Sequence, residues 1–122
     1  MCSSMLENES LIKMLQERIR KNGSIKIQVH GCNMYPVINN GDTVEVIRAD
    51  EINVGDIVCY FIGNAMVQRV MIVHRVYCFQ NNCIITKGDN NSFVDQFRIR
   101  RDAIVGKIIL STNTTVSKVK QQ

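Results

Sequence analysis

The chain has 122 residues, 45% hydrophobic and 21% charged, with a formal net charge of +4; this fits one globular domain with a single modest core and excludes two. The longest uninterrupted apolar run, IVCYFI at 57–62, is far short of the ~18 residues of a membrane span, and the opening MCSSMLENES carries acids where a signal peptide carries positive charge, so a soluble cytoplasmic protein without a transmembrane anchor is expected. Five cysteines, no CxxC pair and two histidines argue against a disulfide framework and against a zinc site, and no cofactor is expected.

In chain order, Ser4 to Lys21 reads as the single helix. Ser4 and Glu7 have capping-box spacing, Leu11, Ile12, Leu15 and Ile19 form one apolar stripe, and Arg18, Arg20 and Lys21 suit the C-terminal end before a stop at Gly23. After Gly23 the pattern switches to alternation: Ile25, Ile27 and Val29 interleave with Lys26, Gln28 and His30, the signature of a half-buried strand. Further strands are expected at Thr43–Arg48, Asp56–Phe61, Val67–Phe79, Cys83–Lys87 and Ile104–Leu110. A turn at Gln80-Asn81 would set Cys78 and Cys83 opposite each other as two reduced thiols. Gly-Asp recurs at 41–42, 55–56 and 88–89, where glycine supplies a left-handed turn position and aspartate accepts backbone hydrogen bonds. The cluster Arg98, Arg100 and Arg101 lacks interleaved aromatics, so it reads as a solvated basic edge and no nucleic-acid partner is expected. The organisation is then an amphipathic helix over 1–23, a β domain over 24–112 and a polar tail over 113–122.

Three segments carry chemistry together. GCNMYP presents Asn33 on a loop bounded by Gly31 and Pro36; MIVHRV places Ile72, His74 and Val76 on one side of a strand; TKGDNNSFVD offers Asp89 and Asp95. A loop residue, a strand histidine and a loop acid are the ingredients of nucleophile, base and orienter. Taken one by one, the same residues read as structural: a hydrogen-bonded core histidine, an aspartate holding its own turn, and an asparagine in a turn.

In the order GCNMYPVINNGD, GDIVCY, VHRV, TKGDNN and IVGK, the chain resembles the signal peptidase I clan, shared with the self-cleaving SOS repressors. The family pattern runs G-x-S-M-x-P and G-D, then G-D-I-V, then the base, then T-K-G-D-N, then V-G-K, and the resemblance spans roughly Ile25 to Leu110. It implies a mainly β, signal-peptidase/SOS-repressor-type coiled antiparallel sheet or partial barrel with one N-terminal α-helix. His74-Arg75 resembles the histidine-base branch of endoplasmic-reticulum, archaeal and sporulation-type signal peptidases, rather than the lysine branch. That resemblance assigns His74 as general base, Asp95 (six residues beyond Asp89) as orienting acid, and Asp89 as supporting acid. Asn33 falls where the family has its nucleophilic serine, and an amide is a poor nucleophile.

The implied function is a catalytically impaired signal peptidase-like serine-peptidase domain that retains a cleft for a peptide or protein substrate. The alternative is an active soluble peptidase processing a leader or signal-like peptide, either through the neighbouring Cys32 or through a native serine at position 33. Asn33 cyclising onto its own carbonyl is a further, self-processing route. A second alternative, from a different class, is a non-enzymatic interaction module that docks through Leu11, Leu15 and Ile19.

Overall fold

The computed structural model of the protein describes residues 8–64, 66 and 68–110. The expected Ser4–Glu7 capping box, the start of a strand at Val67 and the polar tail lie outside the described residues. The helix α1 covers Glu9–Asn22 and ends as the sequence dictates: the Gly23 N–H donates to the Ile19 carbonyl at 2.7 Å. At its start the buried Asn8 makes no capping bond to the helix. Its amide instead donates to the Gly63 carbonyl and accepts from Arg69 Nε, each at 2.8 Å, tying the helix to the loop across the domain.

Six strands follow: β1 (Ser24–Gln28), β2 (Thr43–Ile47), β3 (Ile57–Ile62), β4 (Val70–Gln80), β5 (Cys83–Lys87) and β6 (Gly106–Ile109). They form one open sheet in the order β1-β2-β6-β3-β4-β5, and every neighbouring pair is antiparallel. Chain order is broken at one place, where β6 inserts between β2 and β3. That central position explains IVCYFI: residues Ile57 to Phe61 of β3 are all buried, so both faces of the strand are covered and alternation disappears. At the edge, β1 keeps the alternating pattern of a half-covered strand.

The helical stripe faces inward. Ile12 and Ile19 are buried in the core, and Leu11 and Leu15 pack against it from the side. This apolar contact, rather than intrinsic propensity, holds a 14-residue helix in place.

Two expectations are corrected at the β4–β5 hairpin. The turn is Asn81-Asn82, with φ of 52° and 64°, so Gln80 faces Cys83 and Cys78 faces Ile85. Two consecutive left-handed residues are what a tight hairpin demands, and asparagine tolerates that region better than glutamine. The cysteines also differ from the expected reduced pair. Cys78 is a free thiol, whereas Cys83 is disulfide-bonded, so the two do not pair with each other.

Candidate active site

Three adjacent strands present polar side chains on one face. Register places Val58 of β3 opposite His74 of β4, Tyr60 opposite Ile72, and Thr86 of β5 opposite Val76. Because side chains alternate along a strand, Tyr60, His74 and Thr86 project to the same side. All three are buried.

Asp95 completes this group from beyond β5. Its segment folds back along the outer edge of that strand: the Asp95 N–H donates to the Thr86 carbonyl at 2.8 Å, and Ile84 and Ile99 exchange both backbone hydrogen bonds. The Asp95 carboxylate, 14% exposed, reaches His74 Nδ1 at 2.5 Å. The same oxygen, Oδ2, accepts from Thr86 Oγ1 at 2.6 Å, and Tyr60 Oη stands 3.4 Å away. Tyr60 Oη and Thr86 Oγ1 are themselves 2.8 Å apart.

Burial pushes the Asp95 carboxyl up, but the hydrogen bonds from His74 and Thr86 outweigh it, and the group lies below the usual carboxylate range. Burial also drives the Tyr60 phenol well above its ordinary value, so it stays protonated. The dyad is therefore an ionised aspartate bonded to one ring nitrogen of a buried histidine. The other ring nitrogen, His74 Nε2, is the one buried side-chain polar atom among the described residues that has no hydrogen-bond partner. A buried polar atom left without a partner costs stability, so each one calls for an explanation, a catalytic role among them.

Asp89 acts differently from the other two Gly-Asp aspartates. Asp42 accepts from the Asn39 N–H and Asp56 from the Asn53 N–H, each at 2.8 Å, so both clasp their own turns as expected. Asp89 instead forms a two-pronged pair with Arg75, Nε to Oδ1 at 2.8 Å and Nη2 to Oδ2 at 2.7 Å, while Arg75 Nη1 reaches the Gly55 carbonyl. The Arg75 guanidinium holds the Asp89 carboxyl below its ordinary range. Asp89 thus fastens the 88–91 turn to the residue adjoining His74.

That turn carries the Asn33 loop. The Asn90 N–H donates to the Asn33 carbonyl at 2.8 Å, Asn90 Nδ2 to the Cys32 carbonyl at 3.1 Å, and the Asp89 N–H meets Met34 Sδ at 3.4 Å. Met34 is buried beneath the loop, and the Tyr35–Pro36 peptide is cis. Gly88 is required by this contact rather than by a left-handed backbone, which corrects the expectation for the third Gly-Asp pair: a Cβ there would fall 2.8 Å from the Asn33 carbonyl and 2.6 Å from Asn91 Nδ2.

The residues named from sequence therefore fall into two bonded sets. His74 and Asp95 meet directly. Asn33, Cys32 and Asp89 belong to the loop-and-turn assembly that Arg75 attaches beside them. Asn33 and Cys32 are exposed, Cys32 is a free thiol, and the Asn33 amide makes no hydrogen bond among the described residues. Sequence reasoning missed Tyr60 and Thr86 and gave Arg75 no structural task. The available signal was a threonine with one polar neighbour at the end of an otherwise apolar strand, and a tyrosine inside an apolar run.

No helix among the described residues is long and apolar enough to cross a membrane. No curated protein matches the chain at a significant level. The profile of the Peptidase S24-like family matches residues 3–109, nearly the whole chain and all of the strands described above, within the clan whose motif order the sequence follows. The chain belongs to the Peptidase S24-like family.

Proposed function

We propose that this chain is a peptidase domain of the histidine-base type, disarmed at the nucleophile and still able to hold a peptide. The observation that carries this reading is the His74–Asp95 pair with Nε2 buried and unpartnered. In a serine peptidase that nitrogen takes the proton of the attacking hydroxyl, while the aspartate holds the other nitrogen and stabilises the imidazolium that forms. Here the loop offers an amide at Asn33, which supplies neither the proton nor the lone pair of an alkoxide. His74 is general base, Asp95 orienting acid, and Asp89 a support that acts through Arg75. The Asn33 N–H, unbonded among the described residues, is a candidate oxyanion donor. An extended leader or signal-like peptide is the natural occupant, by pairing with a strand edge.

One observation favours a second reading, an active peptidase using Cys32: its thiol is free and exposed on the same loop. A thiolate one residue from the expected position has the wrong direction for the same base. Docking through Leu11, Leu15 and Ile19 draws no support, because these side chains pack on the protein's own core.

Digestion of a diverse peptide library, read by mass spectrometry, tests the proposal. The expected result is no cleavage by the protein and cleavage by Asn33→Ser. Cleavage by the protein itself, lost in Cys32→Ala, establishes the second reading instead.

A further inference from the structure

The protons around Asp95 can be assigned from the geometry. An ionised carboxylate only accepts, so the 2.6 Å contact from Thr86 Oγ1 uses the single hydroxyl proton of Thr86. The 2.8 Å contact between Thr86 Oγ1 and Tyr60 Oη then requires Tyr60 to donate. The chain of donation runs from Tyr60 to Thr86 to Asp95, and because an ionised carboxylate only accepts, the contact of His74 Nδ1 with the same Oδ2 makes Nδ1 the donor. Thr86 holds the aspartate twice, since its carbonyl also accepts the Asp95 N–H at 2.8 Å. Tyr60 and Thr86 are both 0% exposed, so neither hydroxyl faces bulk solvent.

From this we infer that Tyr60 and Thr86 are positioning residues, a buried hydroxyl relay that fixes the Asp95 carboxylate so that the neutral His74 ring carries its proton on Nδ1 and leaves Nε2 bare. The arrangement is directional. With the Tyr60 proton on Thr86 Oγ1 and the Thr86 proton on Oδ2, the Asp95 carboxylate is held as an acceptor and accepts from His74 as well. Nε2, with no partner to compete for a proton, is left as the basic nitrogen. A threonine that merely filled space would be replaceable by valine of the same shape. A relay would not, because valine removes the proton that orients the carboxylate and strands the Tyr60 hydroxyl.

This inference rests on the reading of His74 as a base, yet its test does not need activity. Nitrogen-15 spectra of the His74 ring in the otherwise unaltered protein report which nitrogen is protonated. The protonated Nδ1, bare Nε2 form is expected in the protein and in Thr86→Ser. Thr86→Val is expected to shift the ring to a mixture of the two forms, and Tyr60→Phe to a smaller degree. In the Asn33→Ser background the same Thr86→Val change lowers kcat roughly tenfold with little change in KM, and Thr86→Ser restores it. An unchanged ring form in both Thr86→Val and Tyr60→Phe overturns the relay. A shifted ring form together with no cleavage by Asn33→Ser upholds the relay and overturns the peptidase reading.

Discussion

The two halves of the site differ in almost every physical respect. The half holding His74 and Asp95 is largely buried, built on three neighbouring strands and the segment beyond β5, and joined by hydrogen bonds of 2.5, 2.6 and 2.8 Å. The half carrying Asn33 is held through the Asn33 and Cys32 carbonyls on Asn90 and through the buried Met34, while the exposed Asn33 and Cys32 side chains make no hydrogen bond among the described residues. A buried ionic network is costly to keep unless every member is satisfied. The wiring around Asp95 is satisfied throughout, and the one buried side-chain polar atom without a partner among the described residues is His74 Nε2, the nitrogen that faces chemistry in a serine peptidase. On the proposed reading, an asparagine at the nucleophile position leaves the rest of the site undisturbed. The contact made at residue 33 is through its main-chain carbonyl, which asparagine and serine present alike.

That contrast can be broken most severely at the base. In the Asn33→Ser background, His74→Ala is expected to lower kcat/KM by roughly a thousandfold or more, measured on a peptide that the single variant cuts. Retained cleavage would mean that the buried half contributes nothing to the chemistry of the loop.

The clamp between the halves comes next. Arg75→Ala leaves the Asp89 carboxylate, 19% exposed, without its two-pronged partner. A loss of about 1–3 kcal/mol in urea unfolding is expected, with exchange protection of the Asn90 amide falling further than that of strand amides in β3. Equal losses at both places would show that the clamp serves the whole domain rather than the loop.

Acid sharpens the same comparison. The Asp89 carboxyl is held low by Arg75, and the Asp95 carboxyl by His74 and Thr86 against the opposing effect of burial. An unfolded carboxylate has a pKa of about 3.9. Below that value the unfolded chain takes up protons that the folded chain does not, so stability falls as pH drops. The contribution is fully present above the unfolded value and is lost as pH descends through the lower folded one. Unfolding measured at a series of pH values should show this decline, and Asp89→Asn should flatten it. An undiminished slope in that variant would place the acid sensitivity elsewhere. The smallest effect is expected at Cys32: Cys32→Ala in the Asn33→Ser background should leave the cleavage rate within about twofold.

The legible and illegible parts of this molecule divide along the same line. β5 falls on Cys83–Lys87 as its apolar run and bounding turns predict, and Gly23 ends the helix. Asp95 is legible through the family resemblance, which counts six residues on from Asp89, and the fold brings it against His74. Tyr60 and Thr86 were not found, since their roles depend on register between strands that no local pattern encodes. Tyr60 sits in a run whose uniform burial hides which face each residue takes. The hairpin turn falls one residue later than the sequence suggests, because three polar residues, Gln80, Asn81 and Asn82, adjoin there and only backbone conformation separates them. Gly88 looked like its two counterparts. Its neighbours, the Asn33 carbonyl and Asn91, come together only in the fold.

The proposed function puts a poised histidine beside an emptied nucleophile position. Its most direct measurement is the reaction of Asn33→Ser with a fluorophosphonate, a reagent that labels activated serines, followed by intact and peptide mass spectrometry. One adduct is expected, located at residue 33, abolished by adding His74→Ala and not formed by the protein with Asn33. An adduct that forms equally well without His74, or no adduct at residue 33 in a folded Asn33→Ser protein, would contradict it.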